Sequence, residues 1–217
     1  KFGKKSSWIQ KGITVEQLQS LEKEWVEKAE QNRWIIPKAR FGLFPAQADG
    51  DQVIFYESEK KEKELGRFDF DLCVGKGRKD KFSIGQYFHS VESGQLDAIG
   101  LQITTAGIGV EAGIKSFKEE NDSESALYLQ GLSDRVAEDM AEYIHQLLRT
   151  RAGYKKENRG QRYSPGYPAL TNLKGNSIIW DALGAEDLGV TLTDANEFYP
   201  PSTTAAVICF HKDASYS

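Results

Sequence analysis

The sequence predicts an α+β fold, a single domain in which helices flank a twisted, largely antiparallel β-sheet. Three observations support this prediction. Segments with strand-like residues do not alternate regularly with helical segments, as they would in a parallel α/β protein. Two strand segments are joined by a short polar turn, which pairs them as an antiparallel hairpin. A helical pattern from about Ser123 to Thr150 is far longer than any other element.

The size and charge of the chain limit the kinds of protein and partner to be expected. The 217 residues fit one large domain, and the formal net charge of −4 gives no electrostatic reason to expect a nucleic-acid or anionic-membrane partner. No run of about eighteen apolar residues is present to span a bilayer. The basic first residues lack the apolar stretch of a signal peptide and resemble the cut edge of a larger protein. We expect a cytoplasmic protein.

The first element predicted is a helix from Val15 to Arg33. Thr14 and Gln17 have the spacing of a capping box, in which each side chain binds a free backbone N–H of the helix start. Pro37 prevents any continuation. The apolar residues that recur at the helical period are Leu18, Leu21, Trp25 and Ala29.

A hairpin and a third strand follow. Strands at Phe41–Pro45 and Val53–Tyr56 flank the polar turn Asp49–Asp51, and the charged run Glu57–Gly66 predicts a solvated loop or helical turn. Phe68, Phe70 and Leu72 alternate with two aspartates, and this period of two predicts a half-buried strand.

The second half begins with a strand at Ala98–Thr105, after which three glycines begin the connection to the long helix: Gly107, Gly109 and Gly113. The apolar stripe predicted for the long helix comprises Leu129, Leu132, Val136, Met140, Ile144 and Leu147. A shorter helix at Ser177–Leu188, capped by Ser177 or Asn176 and ended by Gly189, precedes a last strand at Ala205–Phe210.

Several kinds of site are disfavoured. Cys73 and Cys209 lie among strand-forming residues, which favours two buried thiols over a disulfide, and the three histidines are too scattered for a zinc site. Gly75-Lys76-Gly77 and Gly107-Ile108-Gly109 lack the third glycine of a dinucleotide fingerprint at the required spacing. No G-x-S-x-G nucleophile motif is present. We expect His145 to be a packing or partly exposed residue.

The segment Arg162-Tyr163-Ser164-Pro165-Gly166-Tyr167-Pro168 is the strongest site candidate. Two prolines fix the backbone around a glycine, where a flat ligand can approach without meeting a Cβ. The arginine can hold a carboxylate through two parallel hydrogen bonds, and the two tyrosines offer ring faces to an adenine or a sulfonium cation. From the residues alone, a rigid surface turn with an ordinary arginine is favoured over a binding site.

This segment is similar to the R-x-x-P-G-Y-P signature of the activation domain of cobalamin-dependent methionine synthase. Further stretches resemble the same family in the same order. They are Gly42–Ala46 with Asp51 and Tyr56, Thr105–Gly107, Leu132–Glu138 continuing to Glu142–His145, and His211–Tyr216. The resemblance runs from about residue 40 to the end, and implies an N-terminal helical segment at residues 1–39 followed by an S-adenosylmethionine-binding activation domain at residues 40–217.

The resemblance also implies a set of ligand-binding residues. Arg162 would contact the methionine carboxylate of S-adenosylmethionine, and the backbone of Pro165, Gly166 and Tyr167 would line the adenosine. Glu138 would lie near the ammonium or the sulfonium, although a solvated acid on a helix face is the alternative. Tyr163 would lie in the same site, and Tyr216 would flank the ligand from the far side. No catalytic residue and no metal ligand is implied.

The function implied by the resemblance is the reactivation of oxidised cob(II)alamin. The domain would present the methyl group of S-adenosylmethionine to the cobalamin of a partner domain or subunit of methionine synthase, after one-electron reduction by a flavodoxin-like donor. Because the corrinoid is held elsewhere, the chain alone would bind its ligand and turn over nothing.

Two departures from the family pattern keep alternatives open. Ser217 stands where the family has a second tyrosine, and nothing before Trp8 matches an upstream ligand-binding aspartate of the family. These departures favour a non-catalytic interaction protein of the same fold that binds a corrinoid or methyltransferase subunit and has lost the ligand. The intact Arg162 and Pro165-Gly166-Tyr167 oppose this alternative. A self-contained methyltransferase is disfavoured by the missing glycine loop and the lack of an evident base.

Overall fold

A six-stranded antiparallel sheet forms the centre of the computed structural model, which describes residues 14–74, 81–154 and 159–215. The strands of this sheet are β1 (Lys38–Asp49), β2 (Gln52–Tyr56), β3 (Glu64–Asp69), β6 (Asp97–Thr105), β7 (Gln161–Tyr163) and β10 (Thr203–Cys209). Their spatial order is β3-β2-β1-β6-β10-β7, and every neighbouring pair is antiparallel. Two small antiparallel pairs lie outside this sheet: β4 (Cys73–Val74) pairs with β5 (Lys81–Phe82), and β8 (Thr191–Leu192) pairs with β9 (Phe198–Tyr199).

Four α-helices accompany the sheet in the described part of the chain, and the α+β prediction is confirmed. They are α1 (Val15–Gln31), α2 (Gly109–Glu119), α3 (Ser123–Arg151) and α4 (Lys174–Leu183). Short 3-10 turns lie at Ile84–Tyr87, Val91–Ser93 and Glu186–Leu188. Within residues 14–74, 81–154 and 159–215, no helix combines the length and the apolar character needed to cross a bilayer.

The predicted capping box starts α1. The Thr14 hydroxyl accepts a hydrogen bond from the Gln17 backbone at 3.2 Å, and the Thr14 backbone N–H donates to the Gln17 side chain at 2.8 Å. Trp25 is buried and packs edge-on against Phe117 of α2 at a ring distance of 5.8 Å. The division of the chain at residue 39 stays a prediction.

The hairpin is confirmed, but the third strand differs from its prediction. Gly50, at φ +64°, turns β1 into β2. The next strand, β3, pairs Phe68 with Val53 and ends at Asp69, opposite the first residue of β2. Leu72 therefore lies beyond the sheet and is exposed, so the prediction that it faces the core was wrong.

The two faces of the sheet pack against different helices. Leu101 and Ile103 of β6 belong to the core beneath α4. The residues between and beyond them point to α3, where the Gln102 side chain donates to the Ala141 carbonyl at 3.2 Å and the Thr104 hydroxyl to the Ala137 carbonyl at 3.0 Å. These two polar contacts fix the position of α3 along the sheet.

The buried stripe of α3 is rotated relative to the predicted one. Leu129 and Ile144 are buried as predicted, whereas the other four predicted positions are only partly buried. The row against the sheet is built from small residues, which allow the helix backbone to approach closely: Ser133, Ala137 and Ala141. The sequence prediction followed large apolar residues and so missed this contact face.

Helix α2 was missed because its glycines were interpreted as loop residues. A Cβ on Gly109 would lie 2.6 Å from the Arg33 carbonyl oxygen, and one on Gly113 would lie 2.6 Å from a methyl carbon of Leu129. Here glycine permits close packing inside a helix, and the structure places α2 where the sequence predicted only a connection.

The boundaries predicted for α4 were also wrong. The helix begins three residues earlier, at Lys174, and ends at Leu183, where Gly184 caps it with φ +57°. Asn176 lies inside the helix and donates its side-chain amide to the Asn196 carbonyl at 2.9 Å instead of capping the helix. The segment that was predicted to be its last turn is the separate 3-10 turn that ends at Gly189.

Both thiols are free and buried, as predicted. Burial raises the pKa of Cys209 to about 12 and raises that of Cys73. The turn proposed for Gly75-Lys76-Gly77 lies outside the described residues.

We predict opposite effects of alanine at two helical glycines. Gly113→Ala should lower the free energy of unfolding by about 1–3 kcal/mol, because its methyl group would overlap Leu129 and Trp34. Gly131→Ala should raise it by about 0.5–1 kcal/mol, because no atom lies within 4 Å of the new Cβ and alanine favours the helix. Urea unfolding of both variants measures this difference, and equal effects would contradict the packing described for α2 and α3.

Candidate functional site

The strand β7 positions the candidate site at the edge of the sheet. Arg162 pairs with Ile208 of β10, whose side chain belongs to the apolar cluster beneath α3. Because side chains alternate along a strand, Arg162 lies on the α3 face while Tyr163 lies on the opposite face. A strand of only three residues therefore directs the side chains of these two neighbouring residues to opposite faces of the sheet.

Arg162 is held against α3 by two carboxylates. Its side chain is 14% exposed, and Nη2 lies 3.5 Å from Oε2 of Glu138 and 3.7 Å from Oε2 of Glu142. The two glutamates are four residues apart and so share one face of the helix. Their own side chains are largely exposed, so a competing carboxylate can reach the guanidinium from solvent.

A rigid turn follows β7. Gly166 has φ +91°, and its N–H donates to the Leu170 carbonyl at 2.8 Å. Pro165 is buried against Gly175 of α4, where an added Cβ would come within 2.8 Å of the proline ring. Tyr167 projects from the turn and is 67% exposed. The turn thus presents one open aromatic ring on a fixed backbone.

These elements enclose a cleft of about 340 Å³, which we call the signature cleft. Its lining residues are Glu138, Arg162, Tyr163, Ser164, Tyr167, Pro168, Ala169, Leu170 and Thr204. The structure thus brings together four of the predicted site residues, Arg162, Tyr163, Tyr167 and Glu138. The predicted Pro165 and Gly166 do not line the cleft but shape the turn that borders it.

Three lining residues had no signal in the sequence. Ala169 and Leu170 follow the signature segment and are buried, and Thr204 comes from β10, 34 residues after Leu170 in the chain. Thr204 lies opposite Thr104 in the sheet, which points it to the same face as Arg162. Only the strand register reveals its position.

The structure corrects the hypothesis that the ring face of Tyr163 meets a ligand. Tyr163 is 3% exposed, and its ring packs edge-on against Phe70 at 6.2 Å in the core beneath α4. Burial raises the pKa of its hydroxyl, which donates a hydrogen bond to the Ser215 carbonyl at 3.0 Å. Tyr163 therefore anchors the C-terminal tail.

A second tyrosine holds the same tail. The Tyr87 hydroxyl donates to the Asp213 carbonyl at 3.1 Å, and the Tyr87 ring stacks on His211 at 4.6 Å. These contacts bring residue 215 next to β7. The predicted ligand residue Tyr216, and Ser217 after it, lie outside the described residues.

His145 lies one turn beyond Glu142 on α3 and is 5% exposed, as expected of a packing residue. Its Nε2 atom is buried and has no hydrogen-bond partner within the described residues. Burial, together with the charges of Arg149 and Arg162, lowers the pKa of His145 from 6.5 to about 4. The ring is therefore neutral at neutral pH.

Comparisons with known proteins agree on one family. The family model described as "Vitamin B12 dependent methionine synthase, activation domain" matches residues 9–217. The methionine synthase of Mycobacterium tuberculosis is 24% identical over 200 residues, which are 81% of this chain and 16% of that protein. The chain thus spans only a small part of this relative's length.

A solved structure shows the same fold. It is described as the MetH reactivation domain bound to AdoHcy, and it superposes with a TM-score of 0.85 at 24% sequence identity. The match covers 99% of this chain and 72% of that one.

The lowered pKa of His145 predicts a stability that falls as the pH falls. Between pH 6.5 and about 4 the unfolded chain takes up a proton at this residue and the folded chain does not, so the folded state loses up to roughly 3 kcal/mol. Urea unfolding across this range should show a steeper loss for the native chain than for His145→Gln. Parallel pH profiles of the two proteins would contradict a buried neutral histidine.

Proposed function

Because this chain belongs to the activation-domain family of vitamin B12 dependent methionine synthases, we propose that it binds S-adenosylmethionine in the signature cleft and presents its methyl group for reactivation of oxidised cob(II)alamin. The observation that carries the proposal is the largely buried guanidinium of Arg162, held between two exposed carboxylates at the wall of the cleft.

The charges of the cleft fit the amino-acid end of this ligand. An incoming carboxylate can replace those of Glu138 and Glu142 on Arg162, and a bidentate pair is stronger than the two present contacts at 3.5 and 3.7 Å. Glu138 is then released toward the ammonium or sulfonium cation of the ligand. Arg162 thus pairs with the ligand carboxylate and Glu138 with the ligand cation, so no charged group of the protein or the ligand is left buried and unpaired.

The remaining wall fits a nucleoside. Tyr167 offers an exposed ring for stacking, and Ala169 and Leu170 provide an apolar floor beside it. The volume of about 340 Å³ lies in the range of small-molecule sites, roughly 300–1,000 Å³. The relative whose structure is described as bound to AdoHcy supports a ligand of this chemical class.

The contribution of the chain would be positioning. The ligand supplies a methyl group made electrophilic by the adjacent sulfonium, and the cobalamin of a partner domain or subunit, reduced by a flavodoxin-like donor, would receive it. Arg162 and the rigid turn would fix the ligand so that its methyl group points outward from the sheet edge, which raises its effective concentration at the partner. No general base is required, and the chain alone would turn over nothing.

Replacing Arg162 should abolish most of the binding. We expect Arg162→Met to weaken the affinity for S-adenosylmethionine about ten- to a hundredfold, since the carboxylate loses a charged hydrogen-bond partner. Calorimetric titration of the purified chain measures this, with a thermal melt to show that the variant is folded. The matched control is Arg135→Met, which removes an exposed arginine of α3 paired with Asp139 at 2.7 Å.

The outcomes separate the two candidate functions. Tight binding by the native chain and by the control, with a loss confined to Arg162→Met, supports the ligand site. No heat with the native chain would favour the alternative, an interaction protein of the same fold that has lost the ligand.

The two glutamates should respond differently. Glu138 lines the signature cleft and Glu142 does not, so Glu138→Gln should weaken ligand binding several-fold by removing a partner of the ligand cation. Glu142→Gln should leave the affinity equal or increase it, because it releases Arg162 from a competing carboxylate. Titration of both variants tests these roles, and a greater loss in Glu142→Gln would reverse the assignment.

A further inference from the structure

A second cleft of about 360 Å³ lies on the other side of Arg162, and we call it the basic cleft. Its lining residues are Glu142, His145, Arg149, Arg159, Gly160, Gln161, Arg162, Lys212 and Ala214. Four of these residues are cationic and one is acidic, although the acidic chain has a formal net charge of −4. The signature cleft shares only Arg162 with it.

The cations come from three separate parts of the chain. Arg149 lies in the last turn of α3 and is 9% exposed. Arg159 is fixed from two sides, because its Nε donates to the Phe210 carbonyl at 2.7 Å and its guanidinium lies 4.2 Å from the centre of the Tyr154 ring. Lys212 of the tail is exposed at the mouth, with Asp213 at 3.7 Å. Two arginines are therefore fixed by burial or packing before any ligand arrives.

His145 provides an independent sign of a missing partner. His145 is one of the residues that line the basic cleft. Its Nε2 atom is buried and has no hydrogen-bond partner among the described residues. A buried polar nitrogen of this kind costs stability unless it is paired. As a neutral imidazole, His145 can carry its proton on Nε2, and a small movement of the side chains that enclose this atom would let it donate to an acceptor in the cleft.

We propose that the basic cleft binds a phosphate-class oxyanion, either inorganic phosphate or the phosphate group of a small monoester. Arg149, Arg159 and Arg162 supply the charge, and His145 donates through Nε2. Guanidinium groups suit this class because their planar forks match the oxygens of phosphate. A doubly charged anion is favoured over a single carboxylate because several cations converge and Glu142 is the one acidic residue among those that line the cleft. The site shares Arg162 with the one proposed for S-adenosylmethionine, and all of its other lining residues are different.

The resonances of the His145 ring report on this site directly. The chain contains three histidines, so ring spectra are simple, and His145→Asn identifies the relevant signals. We expect addition of inorganic phosphate at constant ionic strength, in the millimolar range, to shift the His145 ring signals in a saturable way. Absence of a saturable shift at His145 would overturn the proposal.

Charge variants locate the anion. Arg159→Gln and Lys212→Gln remove cations without emptying the core, and Arg159→Gln should weaken phosphate binding about tenfold or more. Lys115→Gln is the matched control, since it removes an exposed lysine of α2 that pairs with Glu119. Equal phosphate affinity in Arg159→Gln, Lys212→Gln and the control would show that the anion binds elsewhere. If Arg159→Gln fails to fold, Lys212→Gln and the ring shift decide the question.

One variant in each cleft distinguishes phosphate binding from the proposed function. Tyr167→Ala, in the signature cleft, should leave phosphate binding unchanged, and Arg159→Gln should leave a folded chain whose signature cleft is intact. Loss of phosphate binding in Tyr167→Ala would assign the anion to the signature cleft and overturn the proposal. Glycerol 3-phosphate is the second probe: tighter binding than inorganic phosphate assigns the site to monoesters, and weaker binding assigns it to the free anion.

Discussion

The register of one short antiparallel pairing determines the whole candidate site. Opposite Ile208, Arg162 lies on the α3 face; a shift of β7 by one residue would turn it to the α4 face and bring Tyr163 against the helix. The pairing is held at the next position by Tyr163, which is buried in the core and bonded to the tail through Ser215. A core contact on one face thus fixes a charged group on the other.

Helix α3 supplies the other half of this geometry. Ala137 and Ala141 let the helix lie close to the sheet, and Gln102 and Thr104 bind their carbonyls across the interface. The carboxylates of Glu138 and Glu142 are therefore placed one turn apart beside Arg162. Since Arg162 lines both clefts, it lies where a ligand on one side can influence the electrostatics of the other.

Local signals made much of the fold predictable, and long-range contacts account for what was missed. The capping box of α1, the turn at Gly50 and the period of α3 are encoded within a few residues, and each was predicted. Helix α2 was missed because Gly113 serves a distant contact with Leu129. Within the site, Arg162 and Glu138 followed from a resemblance in sequence, but the burial of Tyr163 depends on a three-residue strand too short to show a period. The basic cleft joins α3, β7 and the tail, which no local pattern relates.

In the proposed site, Arg162 exchanges its helix carboxylates for the carboxylate of a bound nucleoside amino acid. A crystal structure of the chain with S-adenosylhomocysteine tests it most directly, since that ligand keeps the carboxylate and the adenosine but cannot react. We expect both terminal guanidinium nitrogens of Arg162 within hydrogen-bond distance of the ligand carboxylate, and the adenine beside Tyr167. A ligand bound elsewhere, with Arg162 still directed to Glu138 and Glu142, would contradict it.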